Sequence, residues 1–512
     1  MTALLNVLMG QSGAAALSFG NVVMIAVGVA IIAVAVMRHI EPLLLAGLGF
    51  ACIIANVPLS LASGSGALAQ DGGLFHYAYL GIAQQIIPPL IFLGLGAMTD
   101  FSAVIANPRL TMIGAGAQLG VFAALVLATV LGFTTKEAGA IGILGAADGP
   151  LALFAAPKLA PNLLGPASVI AYASMALLIT LQPRAMRLLT AGPERHRAVT
   201  RLDKIAFPIV IAIFFNVLFP QVAPLMTMLM LGNLIREAGP AARVSRAALG
   251  FTKALTVVLA VALGSSMAAD TFLTVQTGQI LLLALAAFAC AAVSSVAAAK
   301  LMNLALKTPA GPAPGPAHIA PALLVKRGFK IVAQHETSNA ILVHHAMGQN
   351  LAGVFGAAIS GAIILAAFGG QQPFGQIAPG RLDSALAFSL LAFLLTLVAT
   401  FAIGLIVAAF PLLNRLGLVL SGKSAHRKPE QADLIPDRHV AVISAAVAAI
   451  MGPHRIVHIE PAHQGLGWQA EGRAAHHGSH AIFHPGASQR QPENEGNRHG
   501  TEIQNHGRRP RI

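Results

Sequence analysis

The chain has 512 residues, of which 56% are hydrophobic and only 10% charged, whereas soluble domains carry about 25% charged residues. A soluble globular fold is excluded on that ground. The formal charge of +13 is distributed over short loops and a C-terminal tail, so nucleic acid is not an expected partner.

Apolar runs long enough for a hydrocarbon core, which takes about 20 residues of helix, follow one another along the chain. They fall near Leu17–Met37, Pro42–Leu61, Pro88–Ile105, Thr111–Phe133, Ala167–Leu181, Ala206–Leu231, Leu255–Ala269, Ile280–Leu301, Ile341–Phe368 and Ala385–Leu412. The predicted fold class is an all-α polytopic membrane protein of about ten helices. Residues 1–37 contain no Lys or Arg, so the first run lacks the basic start of a cleavable signal peptide and reads as a true span. Basic residues gather in short loops, notably Arg184, Arg187, Arg195, Arg197, Arg201 and Lys204. That asymmetry marks the cytoplasmic side and turns the uncharged N-terminus outward. The two cysteines, Cys52 and Cys290, each sit in an apolar run and offer neither a disulfide framework nor a metal pair.

Composition divides the chain into three regions. Residues 1–370 read as a multispan core whose apolar helices are interrupted at Ile86-Ile87-Pro88-Pro89 and at Gly145-Ala146-Ala147-Asp148-Gly149-Pro150. Lipid cannot satisfy the amides such breaks set free, so the breaks must be buried in protein or line a wet cavity, and they point to a transport site. Residues 371–420 hold one further span, flanked by Arg415, Lys423, Arg427 and Lys428, which predicts a cytoplasmic C-terminal end. Residues 421–512 lose the apolar runs. A short Ala-rich helix is expected over Val440–Ile450, a strand over Arg455–Ile459, and then a disordered tail rich in Gln, Glu, Asn, Gly and His.

Asp148 is the leading candidate for chemistry. An acid between Gly and Pro inside an apolar stretch costs roughly 2.5–3.5 kcal/mol on insertion scales unless it has a partner. Two readings fit it. One is a site for a hard cation or a proton, the carboxylate supplying charge and freed carbonyls supplying oxygens; the other is a loop aspartate that caps the following helix at the membrane surface. Asp100, and Asp270 after Ser265 and Ser266, fall near predicted helix ends, where capping or solvation is expected. Asn350, closing His345-Ala346-Met347-Gly348-Gln349-Asn350, opens a Gly-punctuated helix and has an amide oxygen to offer a cation. Tyr172 is one of three tyrosines, and a phenol inside a bundle is either a hydrogen-bonded structural group or a proton relay. His476, His480 and His484 would share a face if helical, a spacing that suits zinc, but they read equally as an adventitious His-rich tail. No P-loop occurs, which argues against direct use of ATP. No Ala-Met-Lys-Met signature occurs either, so any biotin must arrive on another chain.

Four stretches in order carry a family likeness: Ile91–Arg109 (IFLGLGAMTDFSAVIANPR), Ile143–Pro161 (ILGAADGPLALFAAPKLAP), Gly232–Gly239 (GNLIREAG) and His345–Gly353 (HAMGQNLAG). They resemble the beta subunits of sodium-translocating biotin-dependent decarboxylases, which act on oxaloacetate, methylmalonyl-CoA, glutaconyl-CoA or malonate. The resemblance covers most of residues 85–303 and 340–368. It implies inverted repeats with re-entrant hairpins, a biotin-bearing carboxyltransferase partner of the alpha type, and an oligomeric complex in the bacterial inner membrane. It also implies that carboxybiotin on the partner is decarboxylated at this subunit, driving Na+ outward while a proton is consumed. Asp148 and Tyr172 would then be catalytic, and Asp148 and Asn350 would bind Na+. The chain departs from the family pattern in residues 308–336, at Ser174 where the family has tyrosine, and at Ala357 where it has serine. The C-terminal region, with one span, a basic flank and His439–Glu460 (HVAVISAAVAAIMGPHRIVHIE), resembles the small gamma subunit of the same complexes, whose tail in some relatives binds zinc. A stand-alone cation/proton exchanger built on Asp148, and an inactive membrane anchor of a decarboxylase, are the alternatives.

Overall fold

The computed structural model describes residues 16–38, 41–58, 74–172, 199–305, 339–370 and 382–420. Regular structure among the described residues is helical throughout. Five helices are long and apolar enough to cross a membrane, or up to seven if each of two bent pairs is one span. The helix expected over Val440–Ile450 and the strand expected over Arg455–Ile459 lie outside the described residues, as do all of 308–336 and the whole tail.

Helices α1 (Phe19–Arg38) and α2 (Pro42–Ala55) meet through Gly28 and Gly49. A Cβ on Gly28 would fall 2.7 Å from the Gly49 carbonyl oxygen, and one on Gly49 would fall 2.6 Å from that of Gly28. In lipid there is no hydrophobic drive between helices, so close approach at small residues supplies the packing. Helices α3 (Leu74–Ala83) and α4 (Ile87–Met98) bend by 75° at their junction, where Pro88 and Pro89 make the continuation of α3 impossible. The apolar run predicted to continue to Ile105 stops at Met98. Thr99 is extended, and the chain resumes as the short α5 (Ser102–Ala106).

Helices α6 (Leu110–Gly116) and α7 (Leu119–Val130) divide a 21-residue span that is the most buried of the five. The division at Ala117-Gln118 involves no proline. Next come α8 (Thr135–Leu144), α9 (Gly149–Leu159) and a helix over 164–172, here α10. A reciprocal capping box starts α8: Glu137 N–H donates to Thr134 Oγ1, and Glu137 Oε2 accepts from Thr134 N–H.

The single span expected over Ala206–Leu231 is a correction. The chain forms α11 (Arg201–Leu218) and α12 (Ala223–Ala238), bent by 118°. Pro220 has no N–H to continue the ladder and drives the preceding Phe219 out of the helical region, to φ −132° and ψ 60°. Helix α13 (Ala241–Ser265) starts well before the expected Leu255, because Arg243, Arg246 and Lys253 dilute the hydropathy of a helix they nevertheless belong to. Helices α14 (Ala269–Phe272), α15 (Val275–Ala305), α16 (Asn339–Phe368) and α17 (Leu382–Leu420) complete the order.

Helix α17, which the sequence sets apart, rests against the bundle. Ala385, Ala392, Thr396, Thr400, Ile403, Val407 and Phe410 are buried, while Leu386, Leu390, Leu394 and Leu405 are exposed. The Phe388 and Phe368 rings lie 4.8 Å apart, and the Ser360 and Thr396 hydroxyls are 3.2 Å apart. A polar and small inner face with an apolar outer face is the pattern of a helix at the lipid boundary of a bundle.

Candidate functional site

Two of the motifs pack directly on one another. A methyl group on Gly96 would overlap the Leu229 carbonyl, and one on Gly232 would overlap that of Leu93, so α4 and α12 approach backbone to backbone. Polar contacts close the same end: Asn233 Nδ2 donates to the Thr99 carbonyl at 2.9 Å, and Ser245 Oγ to that of Ala97 at 3.0 Å. Asp100 sits there among partners. Its Oδ1 accepts from Ser102 N–H at 2.9 Å and faces Lys204 Nζ at 3.9 Å, while Oδ2 faces Arg236 Nη2 at 3.5 Å. Burial pushes the Asp100 carboxyl up, but the Ser102 hydroxyl and amide and the Lys204 and Arg236 cations outweigh it and hold the group below the usual carboxylate range. Asp270 is exposed and accepts from Thr271 N–H at 3.1 Å. Asp270 has the solvated role expected of it, whereas Asp100 is held in an ion-pair cluster with Lys204 and Arg236 rather than capping a helix.

The segment before Asp148 is built differently. Helix α8 tightens into successive i to i−3 bonds, from the amides of Gly145, Ala146 and Ala147 to the carbonyls of Gly142, Ile143 and Leu144 at 2.9, 3.0 and 3.0 Å. Ala147 then takes φ +51°, a left-handed conformation that costs a residue with a Cβ roughly 1–2 kcal/mol. Asp148 follows in extended conformation as the N-cap of α9, its Oδ1 accepting from Leu151 N–H at 3.0 Å. Pro150 in the first turn needs no donor there, which suits it to that position. The capping reading of Asp148 is therefore correct for one oxygen. The other oxygen has no protein donor and no ion-pair partner among the described residues.

Tyr172 closes over this helix start. A Cβ on Gly149 would fall 2.6 Å from Tyr172 Cζ and 3.0 Å from its hydroxyl oxygen, so only glycine lets the phenol sit beside Asp148. On the far side, a Cβ on Gly361 of α16 would lie 3.1 Å from Leu151 Cδ1. The structure thus brings Asp148 and Tyr172 together. Asn350 lies in the same helix as Gly361, but its side chain is outside the described ones, and so are Ser174, His476, His480 and His484. Ala357, at the family's serine position, is buried apolar packing.

Two amides stand out that sequence reasoning passed over. Gln85 takes φ +59° in the break between α3 and α4, and its Nε2 donates to the Phe154 carbonyl of α9. Pro157, one turn on, disturbs the local ladder and leaves nearby carbonyls in need of outside donors. Gln118 lies in the break between α6 and α7, 1% exposed. The available signal was the same kind for both: an amide, Gln118 alone and Gln85 beside Gln84, within a long apolar run.

Comparison with known proteins sets this geometry in a family. A family profile described as the Na+-transporting oxaloacetate decarboxylase beta subunit matches residues 20–368. The chain belongs to this family. It is 43% identical over 363 residues to the methylmalonyl-CoA decarboxylase subunit beta of Veillonella parvula, covering 70% of this chain and 95% of that protein. It is 42% identical over 368 residues to the glutaconyl-CoA decarboxylase subunit beta of Acidaminococcus fermentans, covering 70% and 96%. An oxaloacetate decarboxylase beta chain of Salmonella typhi is 35% identical over 424 residues, covering 70% and 98%. The family match ends at Phe368, the last residue of α16, so α17 and everything after it lie beyond the matched residues.

Proposed function

We propose that this chain is the membrane subunit of a biotin-dependent decarboxylase and couples decarboxylation of carboxybiotin, carried by an alpha-type partner subunit, to export of Na+. The observation that carries the proposal is the uncompensated oxygen of Asp148 at an interior helix start, beside Tyr172. A carboxylate set among apolar helices and only part-buried is steadied by a positive partner, and here one cation or one proton can serve that role in turn. The amide of Leu151 and the positive end of α9 hold the carboxylate in a fixed orientation during that exchange. In the coupled reaction the bond between the biotin ring nitrogen and the carboxylate breaks, CO2 leaves, and the nitrogen takes up a proton. The Tyr172 hydroxyl, next to the carboxylate, is placed to pass a proton to or from it. Asn350 is proposed to contribute a further oxygen ligand to Na+.

The remaining assignments extend this reading. Residues 1–370 are the translocating core, 371–420 a gamma-like anchor, and 421–512 a cytoplasmic gamma-like tail near the docking point of the biotin-bearing subunit, in an oligomeric complex of the bacterial inner membrane. Zinc on His476, His480 and His484 is checked by equilibrium binding to a peptide of residues 470–485, where millimolar or weaker affinity rejects it. For the main proposal, the chain and its partner subunit are reconstituted in liposomes. CO2 release that requires Na+, with Na+ accumulating in the lumen, is expected. Asp148→Asn is expected to assemble and to lose both, and a variant as active as wild type would remove Asp148 from the mechanism.

A further inference from the structure

Gln118 is the one amide at the break between α6 and α7, and three observations fix what its side chain does. First, Nε2 donates to two carbonyls, those of Gly114 at 3.3 Å and Gly353 at 3.4 Å. Turning the amide over would set its oxygen against both carbonyls, so the orientation is determined. Secondly, Oε1 is buried and has no hydrogen-bond partner among the described residues. A buried acceptor left unpaired costs about 1–3 kcal/mol, and native proteins satisfy such atoms with water, an ion or a ligand.

Thirdly, the break abuts the one that carries Asp148. A Cβ on Gly145 would fall 2.8 Å from the Gly120 carbonyl oxygen, and one on Gly142 would fall 3.1 Å from that of Val121, so the start of α7 lies on the end of α8 that leads into Asp148. Helix α16 gives the levels. Gln118 touches it at Gly353 and Gly356. Asn350 is about one turn earlier along that helix, and Gly361, which meets Leu151, is roughly 7.5 Å of rise later than Gly356. Along α16, the Gln118 contact therefore falls between the level of Asn350 and the level of the helix that Asp148 caps.

We infer that Gln118 Oε1 is a ligand of the transported cation, supplying a neutral oxygen that complements the carboxylate of Asp148. This rests on the proposed function. The donor set suits the charge of the cargo: one carboxylate balances one positive charge, and amide oxygens add coordination without adding charge, which favours a monovalent hard cation over a divalent one. Gly356 makes room for the amide, since a Cβ there would lie 3.1 Å from Gln118 Cγ.

The test uses the full chain with its partner subunit and compares wild type, Gln118→Met and Asp148→Asn. Two readouts are taken: the Na+ concentration for half-maximal decarboxylation, and the rise in thermal unfolding temperature that NaCl gives over KCl in detergent. Gln118→Met keeps volume and loses the oxygen. The half-saturating Na+ concentration is expected to rise about tenfold, as for loss of one interaction with a charged group, while the rate at saturating Na+ is retained and the Na+-specific thermal shift shrinks. An unchanged half-saturation with a lower unfolding temperature in both salts would overturn the inference and make Gln118 a structural amide satisfied by water. If Gln118→Met does not assemble, Gln118→Asn, which keeps the amide but withdraws it by one methylene, is expected to give the same rise, and wild-type Na+ dependence in it would equally overturn the inference. Absence of any Na+ effect in wild type would instead overturn the proposed function. A Na+ effect lost in Asp148→Asn but intact in Gln118→Met would remove Gln118 alone.

Discussion

Asp100 and Asp148 each follow an apolar helix and each precede a new one, yet their surroundings differ in a way that assigns them different work. Asp100 is answered by fixed groups: a serine hydroxyl and amide, and two cations held on α11 and α12. Its charge is balanced by the protein whether or not anything is bound. Asp148 is answered by a single backbone amide, and one carboxylate oxygen is left without a donor among the described residues. A fixed ion pair is balanced whether or not anything is bound, whereas a carboxylate without one, set among apolar helices, is completed by something mobile. Under the proposed function, the contrast separates a structural aspartate from one reserved for exchange.

The largest expected effect comes from neutralising each acid in turn. Asp148→Asn is expected to lower Na+-dependent decarboxylation by about two orders of magnitude or more, equivalent to roughly 3 kcal/mol of lost cation interaction. Asp100→Asn should leave the Na+ concentration for half-maximal rate within about twofold of wild type, a free-energy change well under 1 kcal/mol. Measured side by side in liposomes, a shift in Na+ dependence for Asp100→Asn as large as that for Asp148→Asn would erase the distinction.

A smaller effect is expected where packing rather than charge is changed. In Gly149→Ala the new methyl meets the Tyr172 ring at 2.6 Å, so either the ring or the start of α9 must move. Displacement of a reacting group by about 1 Å can cost up to about a hundredfold in rate, and turnover is expected to fall by about tenfold or more. Gly250→Ala is the control, since nothing lies within 4 Å of its Cβ position. It should leave turnover unchanged. Equal losses in both variants would mean that helix flexibility, not the contact between Gly149 and Tyr172, sets the rate.

The break at Asp148 was legible in the sequence because Gly, Pro and an acid interrupt an apolar run within a few residues. The break before Pro88 and Pro89 was legible for the same local reason. The turn at Pro220 was missed because the apolar run continues through it, and hydropathy does not register a lost N–H. The break at Gln118 carries no proline, and its cause is long-range: Gly114 packs on the Ala352 and Gly353 backbone, and the Gln118 amide is captured by Gly353. The compensation of Asp100 was likewise invisible, since Lys204 and Arg236 reach it from distant positions in the chain. Membership of the family was readable from four motifs in order, and the structure adds why two of them meet: Gly96 and Gly232 are where α4 and α12 touch backbone to backbone.

The smallest effect is on stability and its dependence on acid. The Asp100 carboxyl is held below the ordinary range, so in the unfolded chain it takes up a proton at a higher pH than it does in the folded one. Its contribution is therefore complete above the unfolded value of about 4 and is lost as pH falls through the lower folded value. The side chain is 32% exposed, and solvent screens the pair, which limits the contribution to about 1 kcal/mol or less. Thermal unfolding of wild type in detergent is expected to weaken more steeply below about pH 4 than that of Asp100→Asn, with the two differing most at neutral pH and converging in acid. Parallel curves down to low pH would show that Lys204 and Arg236 do not stabilise the folded carboxylate. Asp100 would then be compensated by its Ser102 hydroxyl and amide alone, and its contrast with Asp148 would narrow to two fixed donors against one.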